Sequence, residues 1–221
     1  MKNVIILGTG GCAAEITFFI EDNNSKVQES ERINILGYID YAEHVKDHYD
    51  RYNFKAPVLC DIDSYEPKPN EEVLLAVMDI SFRKKMITKL KRKNARIGSF
   101  FHHNVIKPKE LTIGEGNIVG PFCMLEKFAI IGNYNLMISY CSISHDCVLG
   151  DNNFFSDTVI AGSTKIGNNN FFGIRSFTTP GVEIGNDNII QAGMLVDKNI
   201  TDDTTVFYRF KEKVMIVPKN K

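Results

Sequence analysis

The segment YCSISHDCVLGD, residues 140–151, places a histidine and an aspartate side by side among regularly spaced aliphatic residues. An imidazole gains and loses a proton near neutral pH, so His145 could remove a proton from a substrate while a carboxylate fixes its tautomer. Adjacent side chains on an extended face point in opposite directions, so Asp146 can supply that carboxylate only if a corner intervenes. The alternative is a polar histidine that simply faces solvent at a corner.

A second candidate is the glycine-rich stretch LGTGGCAAE, which follows an apolar run and opens a helix pattern. Backbone N–H groups at the start of a helix can bind a phosphate. Gly8, Gly10 and Gly11 are similar to a dinucleotide fingerprint, but Ala13 stands at the third glycine position and the domain is too short for a full dinucleotide fold. The loop therefore predicts a mononucleotide site that suits the diphosphate of a nucleotide sugar.

Strand and helix patterns alternate through residues 1–97. The apolar run NVIILG is typical of a buried parallel strand, and INILGYID and EEVLLAVMD repeat that signal. The clearest amphipathic helix is the basic segment SFRKKMITKLKRKN, residues 81–94. This order predicts a small doubly wound α/β domain, in which the strand end VMDIS (77–81) lines the same crevice as the glycine loop.

Residues 98–221 carry a six-residue repeat. From Ile113 onward, thirteen of fourteen consecutive blocks begin with Ile, Val, Leu, Met or Phe, and Thr178 is the exception. One column of glycines that follow the lead residue has spacings of 18, 18, 17 and 18 residues: Gly114, Gly132, Gly150, Gly167 and Gly185. Three blocks therefore form one turn of a triangular coil whose lead residues stack inside. The predicted fold class is an α/β domain followed by an all-β parallel β-helix.

The corners and faces of this coil lead to three further predictions. Gly, Asn and Asp are expected at the corners, where a positive φ costs these residues least. The block at 155–159 is one residue short, so its layer must deviate locally. Flat prism faces are unstable alone, which predicts a homo-oligomer, most naturally a homotrimer, with functional clefts between neighbouring prisms.

Composition argues against several other classes of function. A formal net charge of −1 provides no broad field for nucleic acid or anionic lipid. The short apolar run at the N-terminus fits neither a signal peptide nor a membrane span, which predicts a cytoplasmic protein. Five cysteines without CxxC pairs argue against a disulfide framework and a structural zinc. His102 and His103 stand in a linker outside the regular array, and His44 and His48 are expected on a solvated helix face, so we expect no metal.

The hexapeptide array behind a small glycine-rich α/β domain resembles the left-handed parallel β-helix acyltransferases. Within that group it is similar to the N-acetyltransferases of nucleotide-linked amino sugars and to their sialic acid O-acetyltransferase relatives. The resemblance covers nearly the whole chain. It implies a left-handed coil, acetyl-CoA as co-substrate without a metal, and direct acetyl transfer to a UDP-, GDP- or dTDP-linked amino sugar in surface-glycan synthesis.

The resemblance also implies a site at a subunit interface. SISHDCVLGD matches the segment that supplies the general base, which would be His145, with Asp146 as the adjacent acid. The pantetheine arm of CoA would follow backbone amides at the matching coil positions, which are Gly162, Gly173, Ile174 and Ala192. Gly162 would meet the thioester carbonyl. The alternative for these four residues is that they are ordinary coil corners.

In the first domain, the resemblance implies that Asp40, at the end of LGYID, reads the nucleotide base. The alternative is a residue that forms a turn or caps a helix. At the other end of the chain, Tyr208, Arg209 and Lys211 could meet the CoA phosphates or cap the last coil. Two other functions stay open, an O-acetyltransferase of a sialic-acid-like sugar and a non-catalytic protein that binds sugar nucleotides.

Overall fold

The computed structural model describes residues 1–208, except for the side chains at positions 47 and 48. Arg209 and Lys211, for which the sequence allows two roles, lie outside the described residues. No helix in the described range is long and apolar enough to cross a membrane.

The first part is the predicted α/β domain, a parallel sheet in the order β3-β2-β1-β4 with helices on both faces. Its elements are β1 Lys2–Leu7, α1 Gly11–Lys26, β2 Ile33–Asp40, α2 Ala42–Tyr52, β3 Val58–Asp61, β4 Glu72–Leu75 and α3 Ile80–Arg92, with a 3-10 turn at Glu29–Glu31. Val4 and Ile6 of β1 pack with α1, whereas Ile5 and Leu7 pack with α3. This alternation explains why β1 is apolar throughout.

The second part is a parallel β-helix with three faces of two-residue strands. The chain enters it between Ile97, which pairs with Val73, and Phe100, which pairs with Ile118. Face 1 contains β5 Phe100–Phe101, β7 Ile118–Val119, β10 Leu136–Met137, β13 Phe154–Phe155, β16 Phe171–Phe172, β19 Ile189–Ile190 and β21 Thr205–Val206. Face 2 contains β8 Met124–Leu125, β11 Ser142–Ile143, β14 Val159–Ile160, β17 Phe177–Thr178 and β20 Leu195–Val196. Face 3 contains β6 Thr112–Ile113, β9 Ile130–Ile131, β12 Val148–Leu149, β15 Lys165–Ile166 and β18 Glu183–Ile184. The predicted fold class is confirmed.

The lead residues of the six-residue blocks line the inside of the coil, as predicted. From Val119 to Ile190 each of them is buried. Thr178 fits among the apolar residues because its Oγ1 accepts a hydrogen bond from the amide of Ala161 at 2.9 Å. The short block differs only at its corner, since three residues separate β13 from β14 whereas four separate β12 from β13 and β14 from β15. The strands on either side keep their pairing with the coils above and below.

The prediction that Gly, Asn and Asp take the positive-φ corner positions is wrong in part. The positive-φ residues at the corners also include Phe122, Phe128, Tyr134, Tyr140 and Arg175. The regularly spaced glycines do not have a positive φ. A methyl group at Gly114, Gly132, Gly150 or Gly167 would instead lie 2.6–2.9 Å from the carbonyl oxygen of the next glycine in this column. Glycine is therefore required here for the close stacking of coils.

Buried asparagines connect successive coils at the corner between faces 3 and 1. They are Asn117, Asn135, Asn153, Asn170 and Asn188. The Oδ1 of each of the first four accepts the amide N–H of the next at 2.8–2.9 Å. Their Nδ2 atoms donate to glycine carbonyls of the next coil at 2.9–3.0 Å. The side-chain amides thus satisfy backbone groups that the turns leave unpaired.

Candidate active site

The corner between faces 2 and 3 brings His145 and Asp146 together. Strand β11 ends at Ile143 and β12 begins at Val148, so the pair lies in a four-residue turn. Asp146 has a φ of 59°, a left-handed conformation that turns the chain within this segment. Its Oδ2 lies 2.7 Å from Nδ1 of His145. The corner that the sequence requires for this pair is therefore present.

This hydrogen bond determines which ring nitrogen of His145 can act as a base. A carboxylate can only accept, so the neutral ring carries its proton on Nδ1 and its lone pair on Nε2. The side chains of His145 and Asp146 are 61% and 55% exposed in the single chain. Nε2 of His145 is thus the candidate base, on a surface that a ligand or a second subunit can cover.

The neighbouring coils hold His145 in position. Its amide donates to Oε2 of Glu126 at 3.0 Å, and its carbonyl accepts from the amide of Ser163 at 3.0 Å. The imidazole lies against Gly162, where a Cβ would come within 2.8 Å of both Cε1 and Nε2. A side chain at position 162 would therefore displace the ring.

The four residues assigned to CoA lie at two different corners. Gly162 is at the corner just described, whereas Gly173, Ile174 and Ala192 are at the corner between faces 1 and 2. The amide of Gly173 donates to the carbonyl of Ile190 at 2.8 Å, so the coil itself uses this donor. Ile174 and Ala192 are exposed. The two groups of residues thus lie at opposite edges of face 2.

Cys147 points inward beside the His145 pair. It is fully buried, and its Sγ donates to the carbonyl of Ala161 at 3.2 Å. Burial raises the pKa of this thiol. Because the thiolate is the nucleophilic form of cysteine, Cys147 is poorly suited to carry an acyl group.

The glycine loop opens into a cavity of about 610 Å³ at the carboxyl ends of β1, β2 and β4. Gly8, Gly10 and Gly11 line this cavity, together with Asp40 at the end of β2. The segment 77–81 also contributes to the wall, as the sequence predicts. Because α1 begins at Gly11, the positive end of its dipole lies at the cavity.

Asp40 uses both carboxylate oxygens within the protein. Oδ2 accepts from the amide and the hydroxyl of Thr9 at 2.8 and 2.7 Å. Oδ1 accepts from the amide of Tyr41 at 2.8 Å and lies 3.0 Å from Nδ1 of His44. The Asp40 side chain is 6% exposed. This residue therefore fixes the glycine loop against the end of β2.

Sequence reasoning missed polar and aromatic side chains that line the cavity, among them His44, Phe82 and Lys85. It placed His44 on a solvated helix face. The signal that could have found it is spacing, because His44 follows Asp40 by four residues, and α2 starts between them at Ala42. The first turn of α2 thus returns this ring to the end of β2.

Arg83 of α3 connects the cavity to the β-helix and was also missed. It is fully buried. Nη1 donates to the carbonyls of Leu75 and Val77 at 2.8 and 2.9 Å, and Nη2 donates to the carbonyl of Tyr134 at 2.6 Å. Nε donates to Oδ1 of Asn152 at 3.0 Å, and burial lowers the pKa of Arg83 to about 10. The guanidinium is therefore charged at neutral pH and ties β4 to two corners of the coil.

A second histidine group lies where α1 meets the first coil. Potential ligand atoms of Asp22, His102 and His103 all lie within 4.8 Å of one another. The ring of His102 is already bonded, with Nε2 at 3.1 Å from Oδ2 of Asp22 and Nδ1 at 2.7 Å from Oδ1 of Asn104. The absence of a metal from the activity stays a prediction.

No protein-family model matches the chain. Over 66 residues it is 41% identical to an acyl-(acyl-carrier-protein)–UDP-N-acetylglucosamine O-acyltransferase of Helicobacter pylori (strain Shi470). That match covers 26% of this chain and 24% of the relative, so the chain spans about a quarter of that enzyme's length.

Several solved structures are similar over nearly the whole chain. The acetyltransferase domain of PglB from Neisseria gonorrhoeae FA1090, in complex with acetyl coenzyme A, has a TM-score of 0.74 at 16% identity and covers 92% of this chain and 95% of that one. A histidine-to-alanine mutant of GDP-perosamine N-acetyltransferase from Caulobacter crescentus, in complex with CoA and GDP-perosamine, has a TM-score of 0.75 at 20% identity and covers 93% of both chains. At 16–20% identity the likeness establishes the fold alone. At the level of the fold, it confirms the resemblance drawn from the hexapeptide array.

Proposed function

We propose that the protein is an acetyl-CoA-dependent N-acetyltransferase that acts on a nucleotide-linked amino sugar. The observation that carries the proposal is the His145–Asp146 pair, held against Gly162 on an exposed corner of the β-helix. The similarity to acetyltransferase structures that contain acetyl coenzyme A, or CoA with GDP-perosamine, supports it. We place the reaction in the cytoplasm, within the synthesis of a surface glycan.

In the proposed reaction the sugar amine attacks the thioester carbonyl of acetyl-CoA. Nε2 of His145 removes a proton from the nitrogen as the C–N bond forms, and Asp146 stabilises the resulting imidazolium. When the C–S bond breaks, the imidazolium returns this proton to the leaving sulfur. The products are the amide and free CoA, and the buried thiol of Cys147 takes no part.

The cavity of the α/β domain is the proposed nucleotide subsite. Its volume of about 610 Å³ lies within the range of small-ligand pockets. Gly10 and Gly11, at the positive end of α1, are suited to the diphosphate, and Lys85 adds a positive charge to the wall. We assign Gly8 and Asp40 to the same subsite, Asp40 as the residue that holds the glycine loop in place.

The exposed faces of the β-helix support a homotrimer. On face 2, Met124, Val159, Phe177 and Leu195 are 36–54% exposed, and on face 3 Ile130 and Val148 are 48% and 40% exposed. Face 1 differs because Phe100, Ile118, Leu136 and Phe154 share a core with α1. Columns of exposed apolar side chains are typical of protein interfaces.

An interface between prisms would also complete the acetyl-CoA site. Gly162 lies at one edge of face 2, and Ile174 and Ala192 lie at the other. A groove between two chains would place the His145 corner of one chain beside the corner of Ile174 and Ala192 of the next. The pantetheine arm would then run between the two corners.

The test is the release of free thiol from acetyl-CoA in the presence of UDP-, GDP- and dTDP-linked amino sugars. We expect turnover with one of them and a loss of about 10²- to 10⁴-fold in His145→Ala. Asp146→Ala should lose less, because the imidazole is kept and no new donor competes for Nδ1. Full turnover by a folded His145→Ala protein would remove the base assignment. Turnover with hydroxyl acceptors only would indicate an O-acetyltransferase, and no turnover with any acceptor would favour a binding protein.

A further inference from the structure

Asp40 has no hydrogen-bonding capacity left for a ligand. A carboxylate accepts about four hydrogen bonds. Thr9 contributes two, Tyr41 contributes one, and His44 occupies the fourth position. A nucleotide could bind this carboxylate only by displacing a contact that holds the glycine loop. Another side chain must therefore provide the polar contact at the end of β2.

His44 is in the right place to do so. Its ring lines the cavity, and the side chain is 47% exposed. Since Nδ1 donates to the carboxylate of Asp40, the neutral ring presents Nε2 as an acceptor. The ring also makes edge contacts with Tyr41 and Phe82, with centroid distances of 6.0 and 6.5 Å. The orientation of His44 is thus fixed before any ligand arrives.

In doubly wound domains that bind dinucleotides, an acid beyond the glycine turn accepts a hydrogen bond from a ribose hydroxyl. Here the acid at the end of β2, Asp40, already accepts hydrogen bonds from the protein. His44, one helical turn later, offers the acceptor instead. The neighbouring wall is aromatic, because Phe82 lines the cavity beside His44. Such a wall suits the flat face of a base or the apolar face of a ribose.

We propose that His44 is a specificity-determining residue that recognises the ribose of a nucleoside diphosphate through Nε2. Asp40 is its positioning residue and does not contact the ligand. This inference rests on the proposed nucleotide-sugar substrate and divides the role that the resemblance gives to Asp40 between two residues. The ligand class is a ribonucleoside diphosphate, with its diphosphate at Gly10 and Gly11.

The test is calorimetric titration of the full chain with UDP and GDP and with their 2′-deoxy and 3′-deoxy forms. His44→Asn is the informative variant, because its amide can still donate to Asp40 while Nε2 is lost. We expect native protein to prefer the ribonucleotide to one deoxy form, and His44→Asn to bind the ribonucleotide about tenfold more weakly. The difference between ribo and deoxy ligands should disappear in the variant. His103→Ala is the matched control, since this exposed histidine lies outside the cavity.

Three results would overturn the inference. The native protein could fail to bind any nucleoside diphosphate. The His44→Asn protein could bind the ribonucleotide with native affinity, or it could keep the preference for the ribonucleotide over the deoxy form. The turnover assay separates this inference from the proposed function. Turnover of an amino sugar with unchanged KM in His44→Asn would reject the inference alone. Loss of ribose discrimination in a protein without acetyltransferase activity would reject the proposed function alone.

Discussion

The imidazole of His145 packs against the backbone of Gly162, so that a Cβ at position 162 would lie 2.8 Å from Cε1 and Nε2 of the ring. Nε2 is the nitrogen that the bond to Asp146 leaves with a lone pair. Residue 162 therefore determines the direction in which Nε2 of His145, the candidate base, points.

Gly162→Ala should move the ring of His145 away from its position and leave the fold intact. A displacement of about 1 Å in a reacting group costs on the order of 10²-fold in rate. We expect a loss of this size in kcat, measured by thiol release, with an unchanged circular dichroism spectrum. Ser163→Ala, at the next position of the same corner, is the control and should keep its activity. Native kcat in Gly162→Ala would contradict the placement of the base.

Direct transfer predicts that Cys147 can be replaced. Burial raises the pKa of Cys147, and it raises the pKa of Cys12 to about 12. The reactive thiolate is therefore scarce in both, so the folded protein should resist alkylation at these positions at about pH 8 and become more reactive as the pH rises. Mass spectrometry after iodoacetamide treatment would measure this.

Cys147→Ala should accordingly retain turnover, as should Cys123→Ala, the matched control from the same core. A folded Cys147→Ala protein without activity, beside an active Cys123→Ala protein, would instead indicate an acyl-enzyme on Cys147.

A charge on face 2 should dissociate the proposed trimer. Phe177 is 40% exposed on this face, and an aspartate buried there without a partner is costly. Native protein should have a mass in light scattering of three times the 25.0 kDa chain, and Phe177→Asp should have the mass of one chain. Phe18→Asp is the control, since Phe18 is exposed on α1. A monomeric native protein, or trimeric Phe177→Asp, would contradict the trimer.

Arg83→Met should destabilise the protein strongly. It removes a charged donor from the carbonyls of Leu75, Val77 and Tyr134, which would then be left without this partner. We expect the free energy of unfolding to fall by about 3 kcal/mol or more. Urea unfolding would measure the change. Lys84→Met, at the exposed neighbouring position, should change stability much less, and equal effects of the two substitutions would contradict the role given to Arg83.

The sequence alone predicts the β-helix because every coil requires an apolar residue at the same inward-facing positions. Lead residues such as Val119 and Ile190 enter the core independently, so the period is visible even where Thr178 interrupts it. The position of His145 is predictable for the same reason, since a corner recurs every six residues. Its bond to Asp146 depends on a positive φ at this corner, and the residues six positions before and after it, Tyr140 and Asn152, share that conformation.

Contacts between distant segments are what the sequence could not reveal. Arg83 meets Asn152, 69 positions away, and its local pattern is that of a solvated basic helix. His44 likewise acquires its role only when α2 folds back onto Asp40. The prediction that Gly, Asn and Asp take the positive-φ corner positions failed because strand pairing on both sides fixes the turn. Phe122 and Tyr140 are therefore held at a positive φ that an isolated chain would disfavour.

The three-residue corner between β13 and β14 leaves the strands above and below in register. A change in chain length at a corner therefore alters only that turn, and the strand pairing of the coils above and below stays the same. Corners are thus the positions at which such a chain can gain or lose residues over evolutionary time, or accept a designed insertion, without disturbing the alignment of any other layer.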